Sequence, residues 1–293
     1  MSFHVLHVFQ HGAILAKEQG FVVCRSQSGE ERRLPHEDIR AVIIAARGVT
    51  LTSRFVSAIL ESEGIILHCD ESYQPCGITS ALSRVIDRNA FLRQASQPLR
   101  LNARLWQQML QGKTENQIAV LRHLGLTCAY LEVALRTGKI DEGNAARRYW
   151  QLYFPALGFP DTGRDRKEIA SPNQMLNYGY AVLVALCHRS LLIHGLLPTL
   201  GVQHTTRYRS TPLVFDTMEP FRPVVDLLLA HFLKEPVHDM KAWTKYIGTA
   251  LREHRMEHKR YSLKLMDAID ASASSLARAY AENSATPFWT PKL

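Results

Sequence analysis

The chain has 293 residues, of which 46% are hydrophobic and 21% are charged, and this composition excludes an intrinsically disordered protein. The formal charge of +8 indicates a polyanionic partner, either nucleic acid or an acidic membrane surface. The five cysteines are scattered and form no Cys-x-x-Cys pair, which excludes a disulfide framework and a cysteine-based zinc site and predicts reduced thiols.

No stretch of the sequence indicates a membrane protein. The start of the chain, MSFHVLHVFQHG, lacks the basic segment and apolar core of a signal peptide. The longest apolar run, residues 181–187, is far shorter than the ~20 residues that a membrane-spanning helix needs. We therefore predict a cytoplasmic protein without membrane association.

Residues 3 to about 80 have the pattern of a small β-domain. Brief, β-rich segments such as FHVLHVF, FVVCRSQ and AVIIAA are separated by turn residues, including Gly12 and Gly20. Residues 51–64 differ, because their apolar residues recur on one face of a helix that Thr52 or Ser53 can cap. We predict a β-domain with one helix over residues 1–80.

Beyond residue 80 the apolar periodicity becomes helical, and we find no convincing strand in the rest of the chain. The polar segment 158–172 has glycines, prolines and charges and is predicted to be a mobile loop. The fold class is therefore α+β, with the small N-terminal β-domain followed by a large all-α C-terminal domain, residues 81–293. The longest predicted helices cover residues 116–137, 141–153, 173–196 and most of 240–280.

The stretch between two apolar helical patterns, residues 198–226, carries an unusual mixture of side chains. A packing segment does not need this mixture, whereas a site that holds a divalent cation against a phosphate does. The stretch contains one histidine, three arginines and three carboxylates. They are His204, Arg207, Arg209, Arg222, Asp216, Glu219 and Asp226.

Glu142 lies in KIDEGNAARRYW, in the first turn of a predicted helix. As a structural residue, it would complement the helix dipole together with Asp141. Small residues and then Arg147, Arg148 and two aromatic residues follow directly, and this neighbourhood favours a nucleic-acid site. From the residues alone, both interpretations stay open.

His204 and Glu219 also have structural alternatives. The histidine can be a hydrogen-bonded core or surface residue, and Asp216-x-x-Glu219 matches the capping-box pattern. With Glu142, however, they form a mixed oxygen and nitrogen set, which suits Mg²⁺ or Mn²⁺ with open positions for substrate oxygens. Arginines around such a site would neutralise phosphates.

A competing motif is HRMEH at residues 254–258, which matches the inverted zincin signature H-x-x-E-H. On a helix, His254 and His258 would lie one turn apart and share a zinc ion, with Glu257 as the base. That class needs another carboxylate well downstream, and the only glutamate there is Glu282. The surrounding charges favour a solvated or phosphate-contacting face. P-loop, dinucleotide-binding and serine-hydrolase motifs are missing from the sequence.

Several passages together resemble the CRISPR-associated integrase family of spacer acquisition, the Cas-one proteins. In the β-domain these passages are RRLPHEDIRAVII, LTSRFVSAILESEG and LHCDESYQPCG. In the helical part they are DEGNAARRYW, SPNQMLNYGYAVL, GLLPTLGVQH and PLVFDTMEPFRPVVD. Their order and spacing fit over nearly the whole chain, with least support in the last thirty residues. The length and the NYGY form look most like the type II branch.

The resemblance implies a divalent-metal site in the helical domain. Its catalytic, metal-holding residues would be Glu142, His204 and Glu219, with Mg²⁺ or Mn²⁺ as the cofactor. Asp216 and Asn144 would support these ligands. On charge and proximity, we expect phosphate contacts from Arg207, Arg209 and Arg222.

The implied reaction is phosphoryl transfer on double-stranded DNA, in which a 3′-hydroxyl of a spacer fragment attacks a phosphodiester at the border of a CRISPR repeat. With water as the attacker, the same site would be an endonuclease. The resemblance also implies a homodimer and a small ferredoxin-like Cas-two partner. Two alternatives stay open: a catalytically silent, basic nucleic-acid-binding protein and, less favoured, the zinc peptidase.

Overall fold

The structure, a computed structural model, describes residues 4–82, 88–160, 163–168, 171–204, 210–258 and 261–293. A β-rich region is followed by a helical region, which confirms the predicted α+β class. The strands of the first region are β1 (His4–Val8), β2 (Ile14–Glu18), β3 (Phe21–Arg25), β4 (Glu31–Pro35), β5 (Ile39–Ile44), β6 (Thr50–Leu51), β7 (Ile65–Cys69) and β8 (Pro75–Thr79).

One helix, α1 (Ser53–Glu61), lies within the β-rich region, and the other helices follow it. They are α2 (Arg88–Ala95), α3 (Leu99–His123), α4 (Ala129–Thr137), α5 (Glu142–Ala156), α6 (Asn173–Ile193), α7 (Pro212–Thr217), α8 (Arg222–Phe232), α9 (Met240–Glu253) and α10 (Leu265–Ala281).

The strands form two four-stranded sheets. The first sheet has the order β1-β5-β7-β8 and packs more extensively against the helical region than the second sheet does. Its strands are parallel except β8, which runs antiparallel to β7. The second sheet has the order β4-β3-β2-β6 and is a meander completed by the short parallel strand β6.

Strand β5 is apolar on both faces because it lies between two packed layers. Val42 and Ile44 point to one side, where they meet Phe55 of α1. Ala41 and Ile43 point to the other side and join the core of the helical region. This alternation is the period-2 pattern of a strand that is buried on both faces.

Local sequence signals fix the start of α1. The Thr52 hydroxyl accepts a hydrogen bond from the backbone N–H of Phe55 at 3.2 Å, so Thr52 is the N-cap and one of the two predicted alternatives is confirmed. A capping hydroxyl of this kind satisfies a backbone donor that the first helical turn leaves unpaired.

Helix α6 is the centre of the helical region. It packs against β5 and β7 on one side and against α8, α9 and α10 on others. By length and composition α6 could cross a membrane, but 89% of its most apolar window is buried inside the protein. Such burial is typical of the core helix of a soluble protein.

The β-rich and helical regions share a core, although they are separate in sequence. The first sheet ends with β8 and the next described helix is α2, on either side of the boundary predicted near residue 80. Because Ala41 and Ile43 of β5 pack with α6, the helical core continues onto the sheet. The domain limits 1–80 and 81–293 stay a prediction.

The helix predicted over residues 116–137 is two helices. Helix α3 ends at His123 and α4 begins at Ala129. Gly125 adopts φ +75° between them, and the backbone N–H of Leu126 bonds to the Leu121 carbonyl at 2.8 Å. This is a glycine-terminated helix end, which the apolar periodicity on both sides of Gly125 conceals.

A β-hairpin interrupts the helix predicted over most of residues 240–280. Its strands, β9 (Arg255–His258) and β10 (Tyr261–Lys264), pair antiparallel between α9 and α10. Strand β9 also pairs with the end of the chain, where the backbone N–H of Glu257 bonds to the Lys292 carbonyl at 2.8 Å. The expectation that the C-terminal region contains no strand is therefore wrong at this place.

The zinc-peptidase hypothesis required a helix at residues 254–258, and it is also wrong. His254 is the residue at which α9 ends, and Glu257 and His258 lie on β9. Over an extended segment, side chains four residues apart are separated by about 13 Å and cannot share one zinc ion. The His258 ring instead packs against Trp289, at 4.3 Å between ring centroids.

Replacing Gly179 of α6 by alanine should destabilise the fold. A Cβ atom there would lie 2.9 Å from Ile247 Cδ1 and closer still to Val225 Cγ1, both in the core. We expect Gly179→Ala to lower the free energy of unfolding by about 1–3 kcal/mol in urea denaturation.

Gly143→Ala is the matched control. Gly143 lies in a different helix, α5, and a Cβ atom there would lie at an ordinary 3.6 Å from Oδ1 of Asp141. That variant should gain up to about 1 kcal/mol from helix propensity. Equal effects of the two substitutions would contradict this account of the packing between α6, α8 and α9.

Candidate active site

Glu142 is the first residue of α5, but it does not cap the helix. The preceding residue, Asp141, is the N-cap and accepts hydrogen bonds from the backbone N–H (3.0 Å) and the side-chain amide (2.8 Å) of Asn144. These hydrogen bonds lower the pKa of the Asp141 carboxyl. Because Asp141 occupies the capping position, the Glu142 carboxylate is free to face a neighbouring helix.

Glu219 starts a 3₁₀ turn between α7 and α8, and its side chain is only 5% exposed. Its Oε1 lies 2.9 Å from Nε of Arg222, and its Oε2 lies 2.7 Å from Nζ of Lys113. Burial alone would raise the pKa of Glu219, but the charges of Arg222 and Lys113 outweigh burial and lower it to about 2. Glu219 is therefore ionised at neutral pH.

Lys113 of α3 brings the two glutamates together. Its Nζ lies 3.2 Å from Oε1 of Glu142 as well as 2.7 Å from Oε2 of Glu219, and its side chain is 13% exposed. Glu142 is more open, at 41% exposure. Sequence reasoning missed Lys113, because its partners lie on other elements and the nearer one is 29 residues away along the chain.

His204 is held by Asp216, as a buried carboxylate can hold one ring nitrogen of an imidazole. Nδ1 of His204 hydrogen-bonds to Oδ1 of Asp216. The same carboxylate accepts the backbone N–H groups of Val202 (2.6 Å) and Gln203 (3.0 Å). With Nδ1 engaged, Nε2 is the nitrogen that can bind a ligand, which is the usual arrangement of a metal-binding histidine.

The capping-box interpretation of Asp216 and Glu219 is wrong. Asp216 lies inside α7 and is fully buried, where it binds backbone N–H groups of residues 202 and 203 and does not cap a helix that begins after it. Glu219, three residues later, faces Lys113 and Arg222.

The structure brings together two of the three predicted ligands. Glu142 and Glu219 face the same ammonium group, whereas His204 packs edge-on against Trp106, at 5.7 Å between ring centroids. Trp106 lies two turns before Lys113, on the same face of α3. Across the residues that the structure describes, no three His, Cys, Asp or Glu side chains come close enough to hold a metal ion.

In its chemistry the donor set nevertheless fits a divalent cation. Two carboxylates already surround one positive charge, and the buried Asp216 orients the third donor, His204. Carboxylate oxygens with one imidazole nitrogen are ligands that Mn²⁺ and Mg²⁺ accept.

Arg222, predicted to contact phosphate, lies in the interior. Its side chain is 14% exposed, it pairs with Glu219, and its guanidinium lies 4.9 Å from the centre of the Tyr180 ring. Arg207 and Arg209 lie outside the described residues.

Asn144, predicted to support the ligands, donates to Asp141, and its Oδ1 accepts from the Arg147 guanidinium at 3.0 Å.

The segment predicted to be a mobile loop, residues 158–172, is anchored at residues 163–168. Oδ1 of Asn173 accepts from the Arg164 guanidinium at 2.9 Å, and Oδ1 of Asn177 accepts from the same group at 2.7 Å. The side-chain amide of Asn177 donates to the Arg166 carbonyl at 2.9 Å. The Arg166 guanidinium, whose pKa burial and Arg222 lower, interacts electrostatically with both Glu219 and Glu142.

Asp226 of α8, to which the family resemblance assigns no role, is the centre of a buried tyrosine network. Its carboxylate accepts hydrogen bonds from the hydroxyls of Tyr149 (2.8 Å) and Tyr180 (2.5 Å), and its carbonyl accepts one from Tyr153 (2.7 Å). Burial raises the pKa of Asp226 to about 6, although the tyrosines and two arginines oppose the shift. The network joins α5, which carries Glu142, to α6 and α8.

The raised pKa of Asp226 predicts a pH-dependent stability. A carboxyl whose folded-state pKa lies above its unfolded value near 3.8 stabilises the fold below that value and loses this contribution as pH rises through about 6. We expect the unfolding free energy of the wild type, relative to Asp226→Asn, to fall by about 2 kcal/mol between pH 4 and pH 7.

The exposed Asp267 of α10 provides the control, as Asp267→Asn, for the effect of removing any carboxylate. Urea denaturation at several pH values measures all three proteins. A difference between wild type and Asp226→Asn that does not change over this range would contradict the assignment of a buried, titrating carboxyl.

Solved structures with the same fold include chains of two complexes. A chain of "Casposase bound to integration product" superposes with a TM-score of 0.84 at 16% identity, over 96% of this chain and 92% of that chain. A chain of the "Cas6-RT-Cas1–Cas2 complex" superposes with a TM-score of 0.74 at 17% identity, over 99% of this chain and 36% of that chain. At these identities the likeness concerns the fold.

Comparison of sequences identifies related proteins over most of the chain. The CRISPR-associated endonuclease Cas1 of Neisseria meningitidis serogroup C (strain 8013) is 28% identical over 300 aligned residues, which cover 98% of this chain and 95% of the relative. Assignment to the type II branch stays a prediction. The family model described as "CRISPR associated protein Cas1" matches residues 6–246, and it includes Glu142, His204 and Glu219. The resemblance found in the sequence is confirmed, and the chain belongs to the Cas1 family.

Proposed function

We propose that this protein is a metal-dependent DNA integrase and endonuclease that inserts spacer DNA into a CRISPR array. The observation that carries the proposal is the pair of carboxylates, Glu142 and Glu219, which face one cation in the helical region of a Cas1-family chain. Casposase, whose fold this chain shares, is described with an integration product.

Glu142, Glu219 and His204 would hold Mg²⁺ or Mn²⁺. When bound, the cation supplies Lewis-acid activation of the attacking hydroxyl and stabilises charge on the phosphate. Arg222 keeps Glu219 ionised, as its lowered pKa indicates. Asp216 holds Nδ1 of His204, which would leave Nε2 to bind the cation.

The reaction exchanges one phosphodiester for another. A 3′-hydroxyl oxygen attacks phosphorus at the border of the repeat, a new P–O bond forms, and the bond to the leaving 3′ oxygen breaks. The proton of the attacking hydroxyl leaves as the bond forms, and the leaving oxygen takes up a proton. No nucleotide cofactor is needed, because no phosphoanhydride is consumed; water in place of the hydroxyl gives endonuclease cleavage.

Positive and aromatic groups beside α5 support DNA as the substrate. Arg147 and Arg148 are exposed on α5, and Arg147 lines a cleft of about 340 Å³ with Trp150 and Arg164. Guanidinium groups bind phosphates, and an indole ring can stack on a base. The net charge of +8 agrees with a polyanionic substrate.

The partners proposed are double-stranded DNA, a second copy of this chain and a Cas-two protein, in the cytoplasm. The "Cas6-RT-Cas1–Cas2 complex" pairs a chain of this fold with Cas2 and so supports the last partner. The alternative, a catalytically silent DNA-binding protein, is favoured by one observation: Lys113 already lies between the two carboxylates, and Arg222 pairs with Glu219 as well.

Strand transfer separates these two functions. With Mn²⁺, a labelled duplex bearing a free 3′-hydroxyl and a repeat-containing target, we expect Glu142→Gln and His204→Ala to lower the transfer rate at least about a hundredfold. DNA affinity, measured by fluorescence anisotropy, should stay largely unchanged, since neither substitution removes a lysine or an arginine.

Glu132→Gln is the matched control, because Glu132 forms an exposed ion pair with Arg122 on the outer side of α4. It should transfer strands at the wild-type rate. Wild-type activity of Glu142→Gln or His204→Ala would overturn the assigned site, and an inactive wild type that still binds DNA would favour the silent alternative.

A further inference from the structure

Lys113 occupies the position between the two carboxylates that a metal ion would take. Its Nζ lies 3.2 Å from Oε1 of Glu142 and 2.7 Å from Oε2 of Glu219. The lysine side chain is 13% exposed and that of Glu219 is 5% exposed, so this ion pair lies largely out of water. Lysine usually keeps its ammonium group in solvent, which makes a buried ammonium between two carboxylates informative.

The backbone around Lys113 is fixed relative to Glu219. One turn further along α3, the side-chain amide of Asn116 donates to the carbonyls of Pro220 (2.7 Å) and Pro291 (3.1 Å). Pro220 directly follows Glu219, so Asn116 ties α3 to the turn that carries the glutamate. One residue before Lys113, Gly112 packs closely against Thr290. The position of the ammonium therefore follows from the packing of α3.

A divalent cation and this ammonium cannot occupy the site together. A metal ion held by Glu142 and Glu219 would need the space between their carboxylates, which the ammonium fills. The ammonium would then lie within a few ångströms of a double positive charge, in a poorly hydrated environment where repulsion is strong. One of the two cations must leave, and only the lysine has a flexible stem that allows it to move aside.

We propose that Lys113 is a built-in competitor for the divalent cation. In the metal-free protein it neutralises Glu142 and Glu219 and keeps the buried site ordered, and metal binding displaces its ammonium group. The cost of this displacement lowers metal affinity, so Lys113 sets the metal concentration at which the site fills. This inference rests on the proposed metal-dependent function.

Calorimetric titration with Mn²⁺, without DNA, tests the competition. Lys113→Met keeps the length of the side chain and removes its charge, so we expect Mn²⁺ to bind at least about tenfold more tightly. Lys113→Arg keeps the charge and should bind no more tightly than wild type. Lys292→Met is the matched control, because Lys292 pairs with Glu115 of the same helix at 2.9 Å but is 60% exposed, and its affinity should match wild type.

A second measurement uses the wild-type protein and does not depend on the folding of a variant. Amine acetylation followed by mass spectrometry should modify Lys113 slowly in the metal-free protein and faster once Mn²⁺ has released its ammonium group. Acetylation of the exposed Lys292 should not respond to Mn²⁺.

The outcomes distinguish this inference from the function on which it rests. Mn²⁺ binding that is unchanged or weaker in Lys113→Met, or acetylation of Lys113 that does not rise with Mn²⁺, overturns the competitor role and leaves the metal site intact. Absence of Mn²⁺ binding in the wild type and in every variant overturns the proposed metal-dependent function itself.

Discussion

The neutralisation of one buried glutamate determines how the helical region is arranged. Glu219 is 5% exposed, and an unpaired carboxylate at such a place would destabilise the protein by several kcal/mol. Lys113 comes from α3 and Arg222 from the start of α8, so both elements must pack against the 3₁₀ turn that Glu219 begins. Glu142 joins the same cation from α5. The folded state is thereby coupled to the geometry of the candidate active site.

The NYGY sequence of α6 connects this site to the rest of the molecule. Asn177 holds the segment 163–168, and Tyr178 hydrogen-bonds to the buried His7 of β1. Gly179 allows Val225 of α8 to approach the helix backbone, and Tyr180 binds Asp226. Because successive side chains on a helix are about 100° apart, four consecutive residues can face four different neighbours. Because each of these four residues has its own partner, we expect the motif to tolerate few substitutions.

One contact between the two regions, that of His7 with Tyr178, carries no charge. Burial lowers the pKa of His7 to about 4, so the imidazole that forms a hydrogen bond with the Tyr178 hydroxyl is neutral at physiological pH. The contact between β1 and α6 is then a neutral hydrogen bond within an apolar environment. Unlike the contacts of Glu219 with Lys113 and Arg222, this hydrogen bond does not depend on opposite charges. It connects the sheet to the helices at any physiological pH.

Much of the fold could be predicted from sequence because its signals are local. Thr52 marks the start of α1 by its position, and the apolar run around residues 181–187 marks the core helix α6. The hairpin β9–β10 could not be predicted, because its charged residues suit a solvated helix equally well. Its stability comes from pairing with Lys292, which is distant in sequence.

For the site, sequence reasoning identified residue types but not their partners. Glu142 and Glu219 were found through motifs, and the structure places them around one cation. Lys113 lies just before the helix predicted over residues 116–137 and belongs to no motif. Asp226 resembles a helix-edge charge until Tyr149 and Tyr180 are placed around it. Such contacts depend on tertiary packing, which no local pattern encodes.

In the proposed mechanism Glu142, Glu219 and His204 converge on one divalent cation, and Lys113 gives way to it. An anomalous difference map from crystals grown with Mn²⁺ tests this most directly. The account predicts one strong peak between the two glutamates, with Nε2 of His204 as a third ligand and Nζ of Lys113 moved away from both carboxylates. Crystals saturated with Mn²⁺ that show no peak there, with Lys113 still between the glutamates, would contradict it.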